Sequence, residues 1–326
     1  MCILFWTVEN HPKYKFIFAG NRDEFLRRPT ARARFWEEAD ENILGGIDLE
    51  AHPMDNVKNG TWLGINRQGK FAALTNFREQ RFKGTVTRGA LVRDFLYSRD
   101  PVHMAIDYVK SRAEDFGGFS LICFDFGNKN QIEMMYITNR ENQLVTELEP
   151  EKIYGLSNSI LTKPWPKVDQ GKELFEKIIK SGNNDPKELT EALFDMLSTS
   201  QPMTDTENVD TIMNDLKERI FIPKFDFPAI TGIKEPSYGT RTSTVVLIDY
   251  DDNVTFVERD WYDSNLSLCY HPKPLVHFRD IQALYPQLGL IDMDEKARLD
   301  EIARRKRRGK GAPKKGQGKR ASNKKK

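Results

Sequence analysis

Three times along this chain, two apolar stretches flank a short turn-forming segment, and this pattern constrains the fold more than any other feature. Thr61–Asn66 and Phe71–Asn76 flank Arg67-Gln68-Gly69-Lys70, and Phe119–Phe126 and Gln131–Ile137 flank Gly127-Asn128-Lys129-Asn130. Thr242–Tyr250 and Val254–Glu258 flank Asp251-Asp252-Asn253. Such pairs are the signature of antiparallel hairpins. Several strands are apolar at successive positions, as in Phe119-Ser120-Leu121-Ile122-Cys123-Phe124, so their sheets need cover on both faces. Helical spacing over Arg88–Tyr97, Val102–Arg112, Gln170–Lys180, Pro186–Leu197 and Asn208–Ile220 supplies that cover, with Pro101 and Pro186 suited to helix starts. The expectation is an α+β fold: two antiparallel sheets with helices outside. The segment from Met203 to Pro236, rich in proline, aspartate and glycine, reads as a long ordered loop near a site.

A chain of 326 residues, 39% hydrophobic, can bury a large core, and one globular domain is expected over about residues 1–295. A basic helix-to-coil extension over residues 296–326 follows, ending in disordered chain. Residues 304–326 hold 13 lysines and arginines and no acid, which leaves 37 basic against 48 acidic groups over residues 1–303. The net charge of +2 therefore hides an acidic body and a basic tail. The tail suits peripheral contact with an anionic membrane or nucleic acid, or a nuclear-import patch; without aromatics it is poorly suited to sequence-specific RNA reading. No run approaches a membrane span, and the 3 cysteines cannot form a disulfide framework. With no signal-peptide pattern either, the expected setting is the cytoplasm.

Cys2 follows Met1, and removal of the methionine ahead of so small a side chain would leave a thiol and a free amine on one residue. The amine titrates at about 7.7–8.0 and the thiol at about 8.5, so the amine can serve as base for its own nucleophile. The alternative is that Cys2 simply opens an apolar strand, Cys2–Val8. After a second strand, Lys15–Ala19, the polar group Gly20-Asn21-Arg22-Asp23-Glu24-Phe25 reads as a turn folding back toward Cys2. There Arg22 would lower the thiol pKa and Asp23 would bind or orient the amine.

Met1-Cys2 and Asn21-Arg22-Asp23-Glu24-Phe25 resemble the NRDE family, the transport and Golgi organisation 2 family. Thr61-Trp62-Leu63-Gly64-Ile65-Asn66, Ala73-Leu74-Thr75-Asn76-Phe77-Arg78, Tyr154-Gly155-Leu156-Ser157-Asn158 and Tyr238-Gly239-Thr240-Arg241 extend the resemblance through most of residues 1–280. That family is in turn similar to N-terminal-nucleophile hydrolases of the choloylglycine hydrolase and penicillin V acylase type. The resemblance implies a four-layer αββα sandwich, with Cys2 as nucleophile, Arg22 and Asp23 beside it, Asn76 and Asn158 as oxyanion donors, and Arg241 near the nucleophile. In those hydrolases the arginine precedes the asparagine, the reverse of the order here.

The resemblance also implies a part in Golgi organisation and protein secretion, or in haem and lipid handling, with association with Golgi or mitochondria. The favoured reading is a binding protein for a small hydrophobic ligand, either an acyl compound or haem as cargo, and the alternative is a cysteine amidase or thioesterase acting through Cys2. A third is a nuclear or nucleic-acid protein driven by its tail. His11, His52, His103, His271 and His277 include no pattern of a conventional metal site, and no cofactor is required; Cys269-Tyr270-His271 with His277 could hold haem iron or another metal, though their spacing favours a proline-bordered loop of ordinary polar residues.

Overall fold

The computed structural model describes residues 2–36, 42–50, 60–79, 84–128, 131–141, 145–228, 231–232 and 235–262. They lie in the first of two compact units of the chain, Met1–Cys269. One sheet contains β1 (Cys2–Val8), β2 (Tyr14–Phe25), β10 (Ile153–Leu156), β11 (Phe225–Asp226), β12 (Ser237–Asp249) and β13 (Val254–Asp260). Its order is β10-β1-β2-β12, and β11 and β13 both pair with β12. The other sheet runs in chain order through β3 (Thr30–Phe35), β4 (Ile43–Asp48), β5 (Leu63–Asn66), β6 (Lys70–Asn76), β7 (Phe119–Asp125), β8 (Glu133–Thr138) and β9 (Val145–Glu147). Every strand pairing within the two sheets is antiparallel.

Strand periodicity sorts the core into layers. Leu4, Trp6, Phe16 and Phe18 point from the first sheet toward Phe71, Ile122 and Phe124 of the second. The Phe16 and Phe18 rings stand 5.1 and 4.9 Å from the Phe71 ring. Ile3, Phe5, Ile17 and Ala19 point the other way, onto α3 (Pro166–Lys180) and α4 (Pro186–Leu197). α1 (Gly89–Tyr97) and α2 (Val102–Ser111) cover the outer face of the second sheet, where Leu91 and Phe95 pack with Ala72 and Cys123. The result is a four-layer α+β sandwich, and it explains why strands such as β1 are apolar at nearly every position.

The three hairpins form where their sequences place them. Residues 203–236 contain α5 (Val209–Glu218) as well as β11, and Ile212, Leu216 and Phe225 pack on Tyr238. Two expectations are corrected. Residues 20–25 are the second half of β2 and not a turn, because β12 pairs with them throughout and β1 pairs with Gly20, Asn21 and Arg22 on the other side. Helix α3 begins at Pro166, four residues before Gln170, with proline in its first turn. Gly171 inside it makes room for the neighbouring strand: a Cβ there would lie 2.1 Å from the Phe5 ring.

Glu258 of β13 ties the two sheets at one end by accepting the Ala33 backbone N–H of β3 at 2.9 Å. Burial pushes its carboxyl up to about 7, against the opposing effect of that hydrogen bond and of Arg22 and Arg32. A raised folded-state pKa means that the native state holds a proton the unfolded chain has lost, so stability falls as pH rises from the ordinary carboxyl range to about 7, then levels off. Glu258→Gln keeps the acceptor and removes the titration. Thermal melting followed against pH is expected to show the wild type losing ground to this variant across that window, with a constant gap above it.

Candidate active site

Cys2 opens β1 directly opposite Arg22 on β2. Because successive side chains of a strand alternate, the Asn21-Arg22-Asp23 run splits: Arg22 shares a face with Phe18, while Asn21 and Asp23 face the helices. Burying three polar residues in a row requires a partner for each, and the neighbouring elements supply them. Asn21 donates from Nδ2 to the carbonyls of Leu197 at 2.8 Å and Ile220 at 3.0 Å, and accepts the Ser243 hydroxyl at 2.6 Å. Asp23 accepts the Thr240 hydroxyl at 2.7 Å, and its other carboxylate oxygen lies 3.9 Å from Nζ of Lys167. The Arg22 guanidinium sits 4.3 Å from the Trp62 ring centre, with Glu24 3.8 Å away.

Asn158, just past the end of β10, links both sheets at Cys2. Its Oδ1 accepts the Cys2 backbone N–H at 2.8 Å, and its Nδ2 donates to the Asn76 carbonyl at the end of β6 at 2.7 Å. Ser157 donates its hydroxyl to the Cys2 carbonyl at 2.7 Å, and Thr75 donates to the Ser157 carbonyl at 2.7 Å. The backbone of Cys2 is therefore held from two sides.

Beside Cys2 lies a cavity of about 100 Å³ lined by Arg22, Glu24, Arg28, Trp62, Asn76 and Arg88, among others. Its wall is mostly polar and charged. Arg28 forks onto Asp48 at 2.8 and 3.0 Å and pairs with Glu50 at 2.9 Å. The structure thus brings Cys2, Arg22, Asp23 and Asn76 to one cavity, with Asn158 holding Cys2 and Asn76 in place. Arg241 is placed differently. It sits at an irregularity in the β12–β2 pairing and donates to the carbonyl of Arg28, so it acts on the cavity wall at one remove.

Burial pushes the Cys2 thiol up; the positive charge of the terminal amine and, less, of Arg22 opposes that shift, while the charge of Asp23 adds to it. Burial likewise raises Asp23 and lowers Lys167, each opposed by the charge of the other. Arg88 falls to about 10 through burial, with Glu79 and Glu24 opposing. Cys123, deep in β7, is raised far by burial, as suits an inert thiol.

Lys167 is a site residue that sequence reasoning missed. With the helix expected from Gln170, Lys167 fell in a connecting segment, and a lysine there reads as solvent-facing. The available signal was its place in Trp165-Pro166-Lys167-Val168, since a cation in the first turn of a helix opposes the helix dipole. Trp62 and Arg88 were also missed as cavity residues. Among the described residues, no three histidine, cysteine or acidic side chains are grouped to hold a metal ion, and no helix is long and apolar enough to cross a membrane. Cys269, His271, His277 and the basic tail lie outside the described residues.

Comparison with known proteins finds two matching families. Residues 1–263 match the family described as Transport and Golgi organisation 2, and residues 262–315 match one described as Mitochondrial ribosomal subunit S27. The chain is 35% identical over 273 residues to the Transport and Golgi organization protein 2 homolog of Homo sapiens, covering 82% of this chain and 95% of that protein. Identity to Transport and Golgi organization protein 2 of Drosophila melanogaster is 29% over 269 residues, 79% of this chain and 91% of that one. Among solved structures, similarity extends to a variant of the conjugated bile acid hydrolase from Clostridium perfringens, at TM-score 0.47 and 11% identity, covering 82% of this chain and 99% of that one. A Caenorhabditis elegans ortholog of N-acylethanolamine-hydrolyzing acid amidase gives TM-score 0.43 at 12% identity, covering 76% of this chain and 92% of that one.

Proposed function

The chain belongs to the Transport and Golgi organisation 2 family, and from that premise we propose that its first unit is a cysteine hydrolase of amides or thioesters acting through Cys2. The observation that carries this reading is the fixed nitrogen of Cys2: Asn158 holds it at 2.8 Å, and Cys2 itself lines the cavity. Once Met1 is removed, that nitrogen is a free amine. Burial keeps the thiol protonated at rest, so its proton must leave as sulfur attacks the acyl carbon. The amine takes that proton and passes it to the departing amine or thiol as the carbon–heteroatom bond breaks. Water then attacks the resulting thioester, with the amine as base, and releases the carboxylic acid and the restored thiol. Asn76 supplies an amide donor at the cavity, and Arg22 supplies positive charge opposite Cys2.

A cavity of about 100 Å³ is smaller than the 300–1,000 Å³ of common ligand pockets. It takes the reacting carbonyl and its polar neighbours, with the rest of an acyl ligand outside. A whole haem exceeds it, so haem as cargo would require a surface beyond this cavity. Roles in Golgi organisation, secretion and lipid handling rest on family membership.

The test is incubation with an alkyne-tagged long-chain acyl thioester, followed by intact-mass analysis and peptide mapping. The expected result is an acyl adduct on Cys2 that decays in water and is absent from Cys2→Ala. Equal labelling of both proteins, or no adduct across acyl lengths on a chain with a free Cys2 amine, would defeat the hydrolase reading and leave the binding-protein one.

A second reading concerns the C-terminal part alone. Because residues 262–315 resemble a mitochondrial ribosomal family and residues 304–326 are dense in cations, we propose that this segment contacts ribosomal RNA in mitochondria. The full chain is expected to co-sediment with mitochondrial ribosomal particles in low salt, and a chain ending at Cys269 is not. Equal sedimentation of the two would contradict this.

A further inference from the structure

Lys167 occupies a costly position. It is fully buried in the first turn of α3, and its Nζ makes no hydrogen bond; its nearest anion is Asp23, at 3.9 Å, and the Trp165 ring centre is 5.7 Å away. Burial and the positive end of the helix both work against an ammonium there, so an unbranched apolar residue such as methionine would remove both penalties. What the lysine brings in exchange is one positive charge behind the strand that carries Asp23.

The groups around the pair come from several elements. Around Asp23 stand the chain's terminal amine and Cys2 at the start of β1, Glu24 on its own strand, Tyr238 and Thr240 on β12, Tyr262 beyond β13, and Lys167 on α3. Cys2 in turn feels the chain's terminal amine, Asp23 and Arg22, and its own charge reaches Lys167, Tyr238 and Arg88. Of these, Asp23 and Lys167 are both wholly buried, out of reach of solvent screening, and opposite in sign.

We propose that Lys167 is a positioning residue whose charge cancels that of Asp23 at the Cys2 sulfur, so that the buried pair sets the pH at which Cys2 becomes nucleophilic. The inference rests on Cys2 being the reactive group of the proposed hydrolase, but its test needs no substrate. Asp23 alone would disfavour the thiolate, and Lys167 alone would favour it. Together they let Asp23 stay beside the chain start without suppressing the thiol.

The experiment uses the full chain in a Cys269→Ser background and follows iodoacetamide alkylation of Cys2 by intact mass across about pH 6 to 10. Lys167→Met is expected to move the midpoint upward and Asp23→Asn to move it downward, each by about one pH unit or a tenfold change in rate below the midpoint. The double variant is expected to return near the wild-type midpoint. A purely structural role would lower melting temperature in all three and leave the midpoints aligned, and that result overturns the proposal. Should Lys167→Met not fold, Lys167→Arg is expected to keep the wild-type midpoint while Asp23→Asn still moves it down; an unmoved Asp23→Asn overturns the proposal by itself. Shifted midpoints without an acyl adduct would reject the hydrolase reading and keep the charge pair. The converse result would do the reverse.

Discussion

One side chain amide, that of Asn158, joins the start of β1 to the end of β6, and the geometry of the site follows from it. The two sheets are held along their length by apolar packing, which fixes a separation but is indifferent to small sliding. Hydrogen bonds are directional and short, and those through Asn158, Ser157 and Thr75 set the register between the sheets at the one edge where Cys2 lies. A nucleophile at a chain start would otherwise be among the least ordered parts of a fold. Here its nitrogen and its carbonyl are both engaged.

The second constraint is the burial of Asn21, Arg22 and Asp23 in the middle of a sheet. Asn21 draws the ends of α4 and α5 onto β2, Asp23 draws β12 and α3, and Arg22 rests on Trp62, just ahead of β5 in the opposite sheet. Three consecutive polar residues thus gather the elements around Cys2 on both faces of one strand. The same residues make the interior unusual in charge. Lys167 and Asp23 share a space from which water is excluded, and neither can change protonation without the other sensing it.

How much of this was legible in the sequence depended on whether a segment's pattern matched its neighbours' needs. The hairpins at residues 61–76 and 119–137 were readable because apolar runs and turn residues alternate at hairpin length. β3 was not, since Thr30-Ala31-Arg32-Ala33-Arg34-Phe35 mixes arginines into a strand, and neither was β4, where Gly45 and Gly46 weaken strand character. Gly46 is required by close approach: a Cβ there would lie 2.5 Å from the Trp62 ring. Residues 20–25 were misread because strand propensity penalises polar residues that tertiary partners satisfy. Cys2 was legible from its place behind Met1 and Asn158 through family resemblance, whereas Lys167 carried no pattern beyond its odd place at a helix start. Arg241 was expected beside the nucleophile and instead braces the turn carrying Arg28.

The central claim is that Cys2 acts through its own amine, held by Asn158. Its most direct test is the intact N-terminal mass of the protein purified from its own cells, with sequencing of the first peptide. The account predicts a chain that starts at Cys2 with an unmodified amine. A chain that retains Met1, or whose new amine is acetylated, would contradict it, because the nitrogen bound to Asn158 would then be an amide with no lone pair to accept the thiol proton.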